Sequence, residues 1–222
     1  MKKAYAALSA SVLLSLPAVS FADQVYGGVG FPGLTLGYAT SLGADVGIRG
    51  ELATGLNVSR DGQRDGVDFK GNFKATVVSA LADYYPMANG LRVTGGLNFN
   101  DVKFSLQSTG NNATATINNK NINLNGETFS VEMKYPSATP YLGIGYGTRA
   151  AGQKGLGFYA DLGLSFGKFK TTVTTSVVGK PGVIPGTTIT QADVDRETQK
   201  IRDDLNKLSV LPKIAIGVSY NF

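Results

Sequence analysis

From residue 212 to residue 222 the chain alternates without a break. Ile214, Ile216, Val218, Tyr220 and Phe222 fall on one side, and Lys213, Ala215, Gly217, Ser219 and Asn221 on the other. A period of two belongs to a β-strand with one apolar and one polar face. The same alternation recurs along the chain. In 44–53, Val46, Ile48 and Leu52 oppose Asp45, Arg49 and Glu51. In 91–99, Leu91, Val93, Leu97 and Phe99 oppose Arg92, Thr94 and Asn98. In 141–148, Leu142, Ile144 and Tyr146 oppose Gly143, Gly145 and Thr148, and in 157–166, Phe158, Leu162, Leu164 and Phe166 oppose Tyr159, Asp161, Gly163 and Ser165. Residues 34–38 repeat the pattern. Residues 67–81 do so more loosely, with Phe69, Phe73, Val77 and Leu81 against Lys70, Asn72, Lys74 and Thr76. With 29 glycines in 222 residues, the expectation is an all-β chain with little helix.

Two architectures produce this alternation. A soluble barrel or sandwich buries its apolar face. A membrane barrel turns that face to lipid and encloses the polar one. Residues 1–22 have the layout of a secretory signal peptide: Lys2 and Lys3, an apolar stretch to Val19 interrupted by Pro17, and Ser20-Phe21-Ala22 before an expected cleavage at Asp23. Several segments reach ten residues, enough to cross a bilayer at a tilt. Short connections at 41–43, 86–90 and 150–155 alternate with longer polar ones at 59–66, 108–127 and 177–211, as in barrels with short periplasmic turns and long external loops. These features favour the membrane form: one domain over residues 23–222, a transmembrane antiparallel up-and-down barrel. A closed bacterial barrel needs an even number of strands. A hairpin from 24–31 and 34–40 around Pro32-Gly33 completes eight. The apolar phase moves from odd to even numbers after Phe99, at Val102, Phe104 and Leu106, so a bulge is expected at Asn100-Asp101.

Residues 191–208 break the alternation. Val194, Ile201, Leu205 and Leu208 are helically spaced, and Thr190 with Asp193 forms a capping box. A short helix in the last long loop is expected, packed on the barrel rim rather than serving as a plug.

Histidine and cysteine are both absent. That removes the imidazole base, the Ser-His-Asp triad, thiol nucleophiles, disulfides and thiolate or imidazole metal ligands. Asp83 and Asp161 are the carboxylates a catalytic reading would use, but rim or lumen charges are the expected role. No enzyme, no metal and no cofactor are expected. The run Gly143-Ile-Gly-Tyr-Gly147 is a strand packed closely on its inner face, not a phosphate loop, since no helix follows. Around Asp61–Asp65 there are too few ligands for calcium. Losing Lys2 and Lys3 lowers the formal charge from +5 to about +3, too mild and unclustered an excess to suggest nucleic acid.

Inside a barrel, the inward charges by alternation are Asp45, Arg49, Glu51, Lys70, Lys74, Arg92, Asp161 and Lys213. Eight strands leave an interior only wide enough for side chains. Buried charges need partners, so a salt-bridge network filling the lumen is expected over an ion- or solute-selective pathway, although inward Gly143, Gly163 and Gly217 could leave room. Tyr84, Tyr85, Tyr141, Tyr220 and Phe222 suit interfacial girdles. Outer-membrane lipid is the expected surrounding, with basic loop residues available to lipopolysaccharide phosphates.

The ordered motifs resemble a family of uncharacterised proteobacterial outer-membrane proteins of the small OmpA/OmpW-like barrel type. The residues that carry the resemblance are A-D-Y-Y-P (82–86), R-V-T-G-G-L-N-F-N (92–100), P-Y-L-G-I-G-Y-G (140–147), G-F-Y-A-D-L-G-L-S-F-G (157–167), Ile201-Arg-Asp-Asp-Leu205 and the ending L-P-K-I-A-I-G-V-S-Y-N-F. The chain has Tyr84 or Tyr85 where the family often has Trp, and Asn221 where a basic residue is common. The terminal strand, with Tyr220 and Phe222 on its apolar face, resembles the signal such proteins present to the barrel assembly machinery. The resemblance implies an integral outer-membrane location and a structural or surface-interaction role. An OmpW-like uptake of small, possibly hydrophobic solutes is the alternative, and a secreted soluble barrel binding an apolar ligand is a second one.

Overall fold

A computed structural model describes residues 23–222 except 44, 65–66, 88–89, 111–113, 124, 148–153, 185–186 and 206–208. The expected signal segment and the connection at 150–153 lie outside the described residues. Eight strands form a closed antiparallel ring: β1 (Asp23–Phe31), β2 (Gly33–Ser41), β3 (Val46–Arg64), β4 (Val67–Tyr84), β5 (Leu91–Gly110), then β9 (Ala138–Gly147), β10 (Gly155–Phe166) and β12 (Val210–Asn221). Closure is made by β12 against β1, with Val25 opposite Tyr220 and Phe31 opposite Ile214. The N-terminal hairpin at Pro32-Gly33 is present and brings the ring to the even number of strands that closure requires. Gly33 sits at φ +132, and a side chain there would press on the Thr54 carbonyl.

The faces are inverted relative to a soluble barrel. Leu36 is 65% exposed, Val218 61% and Leu142 56%, while Arg49, Glu51, Asp83, Arg92, Asp161 and Lys213 are all buried. An apolar belt of this extent has no partner among the described residues, and lipid is the medium that suits it. No helix is long and apolar enough to cross a membrane among the described residues; the crossing is made by strands.

Strands β3, β4 and β5 have 19, 18 and 20 residues, about twice what a tilted membrane strand needs. They rise above the bilayer as a sheet, extended by β8 (Thr128–Lys134) on β5 and β11 (Lys170–Thr175) on β8. Much of the stretch 59–66, expected as a polar loop, is therefore strand: Ser59 to Arg64 pairs with β4.

The bulge expected at Asn100-Asp101 does not form. The β4–β5 register runs unshifted from Val67/Gly110 to Tyr84/Val93, and the single β3–β4 irregularity lies instead between Ala53 and Leu56. The phase change after Phe99 has a different cause. Below it, the outward face of β5 meets lipid and is apolar. Above it, that face meets water, while the inward face carries Val102, which is buried, with Phe104 and Leu106 half-buried. The side of the sheet that must be apolar switches where the membrane ends. Strand β4 makes the same switch. Its inward residues are Ala75, Val77, Ser79, Leu81 and Asp83, all buried, with Phe73 continuing that face above them. Lys70 and Lys74 are exposed on the outward face, so the orientation read for β4 from the sequence is reversed.

The long connections fold against one another at the outer end. A hairpin of β6 (Thr114–Ile117) and β7 (Lys120–Asn123) packs Ile117 and Ile122 with Val177, Ile189 and Val194 in a second small core. Val194 belongs to α1 (Gln191–Leu205); the expected end at Leu208 lies outside the described residues. The capping box forms: Thr190 N donates to Asp193 Oδ2 (2.9 Å), and Asp193 N donates to Thr190 Oγ1 (3.3 Å). Asp193 also accepts from Lys120 Nζ (2.6 Å) and Asn118 Nδ2 (2.7 Å). These donors hold its carboxyl well below the usual carboxylate range and pin the helix to the hairpin.

Candidate functional site: the charged interior of the barrel

Strand alternation brings six charged side chains to the same stretch of lumen. Arg49 and Glu51 come from β3, Asp83 from β4, Arg92 from β5, Asp161 from β10 and Lys213 from β12. Arg49 is the hub. Its Nη1 lies 2.7 Å from Asp161 Oδ2 and 3.7 Å from Glu51 Oε2, and its Nε lies 2.9 Å from Asp83 Oδ2. Arg92 Nη2 meets Asp161 Oδ1 at 2.6 Å, and its Nε is 3.8 Å from Asp83 Oδ1. Lys213 Nζ pairs with Glu51 Oε1. Hydroxyls complete the set: Tyr26 donates to Glu51 Oε2 (3.1 Å) and Thr94 to Asp83 Oδ1 (2.6 Å). Three cations face three carboxylates, so the cluster is formally neutral. Each charge has a direct opposite partner, as charges removed from water require.

The lumen glycines are close-approach positions rather than free space. Tyr141 lies over Gly143 and Gly163, and Tyr159 over Gly28 and Gly217; Arg92 covers Gly145 and Gly147. A Cβ on Gly143 would stand 2.6 Å from the Tyr141 hydroxyl, and one on Gly145 2.8 Å from Arg92 Nε. Cations stack on the rings: Lys213 Nζ is 5.5 Å from the Tyr141 centroid and Arg49 Cζ 5.8 Å from that of Tyr26. The cleft between Gln24, Arg49, Asp83 and Arg92 measures about 10 Å³, roughly the room of one water.

Above the charges come Asn98 and Ser165, joined at 2.7 Å, and Asn100 with Thr139 at 2.9 Å. The outer mouth is apolar: Ala53, Ala75, Val77, Val102, Tyr135 and Leu211 pack with Phe31, Phe73 and Phe169. Tyr135 Oη donates to the Ser165 carbonyl at 2.7 Å, tying this layer to the polar one below.

Of the eight charges read as inward, Arg49, Glu51, Arg92, Asp161 and Lys213 meet in the lumen. Asp45, Lys70 and Lys74 do not. Asp45 is exposed in the turn before β3, where its carbonyl accepts from Tyr85 N at 2.8 Å. Lys70 and Lys74 face outward above the bilayer. Asp83, expected as a rim or lumen charge, is the member that the inward set by alternation lacks, because the β4 phase rests on Phe69 and Phe73, which lie above the membrane. Its own neighbours Ser79 and Val78 carry the correct signal. Tyr141 points into the lumen rather than to an interface, while Tyr84, Tyr220 and Phe222 are exposed near the periplasmic end. Among the described residues no group of three or more acidic side chains could hold a metal ion.

A lipid-facing exterior around a neutral, paired interior defines a transmembrane β-barrel of the outer-membrane class. The solved structure of CarO2 from Acinetobacter baumannii superposes with a TM-score of 0.63 at 21% identity, over 92% of this chain and 100% of that one. CarO from the same organism superposes with a TM-score of 0.58 at 21% identity, over 90% and 97%. At this identity the likeness is one of fold. No family model matches the chain, and no curated protein matches it.

Proposed function

We propose that the protein is a closed, non-catalytic barrel of the outer membrane with a structural or surface-interaction role. The observation that carries this reading is the doubly filled lumen: the neutral cluster around Arg49, capped by the apolar layer of Phe31, Phe73, Val102 and Tyr135. A cluster with no net charge offers no sign selectivity to an ion. Tyrosines lying over the inward glycines occupy the section that eight strands leave. The lack of histidine and cysteine supports a non-catalytic role. Kinship with small OmpA/OmpW-like barrels draws support from the motifs at 82–86, 92–100 and 157–167. Tyr220 and Phe222 act as the assembly signal read by the barrel assembly machinery, and lipopolysaccharide surrounds the outer rim. Reconstitution in planar bilayers tests the seal. The wild-type barrel gives no resolved conductance steps, and regular steps at neutral pH would refute the reading.

One observation favours a second reading, uptake or capture of a small apolar solute. A cavity of about 240 Å³ at the outer end is lined by Val67, Ile117, Phe129 and Val177, with Ser108 and Glu127 at its polar margin. Saturable quenching of an apolar fluorescent probe by the refolded barrel, lost on Ile117→Lys, would support it; non-saturable partitioning alone would end it.

A further inference from the structure

Four strands of the outer sheet place a lysine on the outward face in direct register. Lys74 on β4 stands opposite Lys103 on β5, Lys103 opposite Lys134 on β8, and Lys134 opposite Lys170 on β11. Like charges directly opposite on neighbouring strands are destabilising, so an unbroken row of four is an arrangement that folding alone does not favour. Two carboxylates relieve it in part. Asp101 reaches Lys74 at 3.2 Å, and Glu132 reaches Lys103 at 2.6 Å and Lys134 at 3.0 Å. Both lysines hold the Glu132 carboxyl below the usual carboxylate range. Among the described residues no carboxylate lies within ion-pair distance of Lys170. Four cations against two anions leave an excess of positive charge along the row.

The position of the row matters as much as its sign. Each lysine stands four residues beyond an exposed residue of the barrel wall: Val78, Phe99, Ala138 and Phe166 respectively. For Lys74 and Lys103 the four residues are continuous strand and cover about 13 Å, or roughly 10 Å of height at a typical barrel tilt, and the register places Lys134 and Lys170 at the same level. That is headgroup depth, within reach of a flexible ammonium stem. Facing cross-strand Cβ atoms stand about 5 Å apart, so neighbouring ammoniums can converge on one phosphate.

We infer that Lys74, Lys103, Lys134 and Lys170 form a seat for the phosphate groups of the outer-leaflet glycolipid, fixed to one side of the barrel. This rests on the outer-membrane reading above and names the lipid contact within it. Among the described residues the other outward charges on this sheet are Asp61 and Lys70, which stand opposite each other, and Asp68; none of them adds positive charge beyond the row, which leaves the row as the site of excess.

The test measures binding of the full barrel, refolded in neutral detergent, to vesicles containing phosphorylated lipopolysaccharide and to matched vesicles with the lipid dephosphorylated. The wild type binds the phosphorylated lipid more tightly, with a dependence on salt, and each lysine replaced in the series ending at K74Q/K103Q/K134Q/K170Q weakens it about fivefold. The control K154Q/K200Q, with charges away from the row, leaves it unchanged. Equal binding of the wild type to both vesicles would overturn the inference without any variant. So would equal losses in the two variant sets, or full competition by millimolar inorganic phosphate. The heat-dependent gel shift of a closed barrel is recorded for every variant. If the shift is intact and lipid selectivity is absent, the lysine seat fails and the barrel stands; if the shift is lost in the wild type, the barrel reading itself fails.

Discussion

Replacing Arg49 with methionine is the sharpest perturbation of the interior. Methionine keeps most of the side-chain length and removes the charge. Arg49 is buried and contacts Asp161 twice, at 2.7 and 3.2 Å, and Asp83 at 2.9 Å. After its loss Asp161 keeps Arg92 at 2.6 Å, but among the described residues Asp83 keeps only the Thr94 hydroxyl and a long 3.8 Å approach of Arg92. Two cations then face three carboxylates in a site closed to water. Breaking a buried pair by removing one partner costs about 3–5 kcal/mol, and R49M should lose that much. Equilibrium urea unfolding of the barrel in lipid vesicles measures it, read by tryptophan-free far-UV dichroism since the chain has no Trp. The double variant R49M/D161N restores neutrality. Its loss should fall short of the sum of the two single losses by about 1–3 kcal/mol. A cost below about 1 kcal/mol for R49M, or strict additivity in the double variant, would refute the claim that the six charges act as one paired network.

Two further outcomes follow from the same geometry. Gly217→Ala puts a methyl 2.6 Å from the Gly28 Cα of the next strand and 2.6 Å from Tyr159 Cε1. With backbone on one side it should cost about 1–3 kcal/mol, read by the same urea titration, whereas substitution at exposed Gly50 should be near neutral. Asp193 is held below its ordinary range by Lys120, Thr190 and Asn118. A depressed carboxyl pKa gives stability that is complete above the unfolded value, about 3.9, and is lost as pH falls towards the folded one. Proteolysis of the α1 segment should therefore accelerate below about pH 4 in the wild type, and Asp193→Asn should be equally cleavable at neutral pH.

Much of the fold is legible in residue alternation because a membrane barrel must repeat one simple rule around its ring. The terminal strand, β5 below Phe99, β9 and β10 obey it, and the inward residues Arg49, Arg92, Asp161 and Lys213 follow directly. The rule holds only where lipid covers the outside. Above the bilayer the sheet faces water, so Phe69, Phe73, Val102 and Phe104 turn inward while Lys70, Lys74 and Lys103 turn out. A single phase carried through that boundary misplaces Lys70 and Lys74, hides Asp83 and makes a change of medium look like a bulge. The filling of the glycine positions by Tyr26, Tyr141 and Tyr159 depends on which strands become neighbours across the closed ring, and local periodicity holds no record of that. The hairpin of β6 and β7 and its small core with Val177 and Ile189 are likewise long-range contacts between two loops.

The change of facing along β5 is the central claim, and the cysteine-free chain allows it to be measured residue by residue. Single cysteines from position 91 to 107, each carrying a fluorophore, are quenched in vesicles by a lipid-bound agent and by a water-soluble one. Positions 91, 93, 97 and 99 should respond to the lipid quencher and 101, 103, 105 and 107 to the aqueous one, while the even positions 92, 94, 98, 102 and 104 stay protected from both. Lipid quenching at 102, 104 and 106, as a bulge at Asn100-Asp101 would produce, would contradict the account.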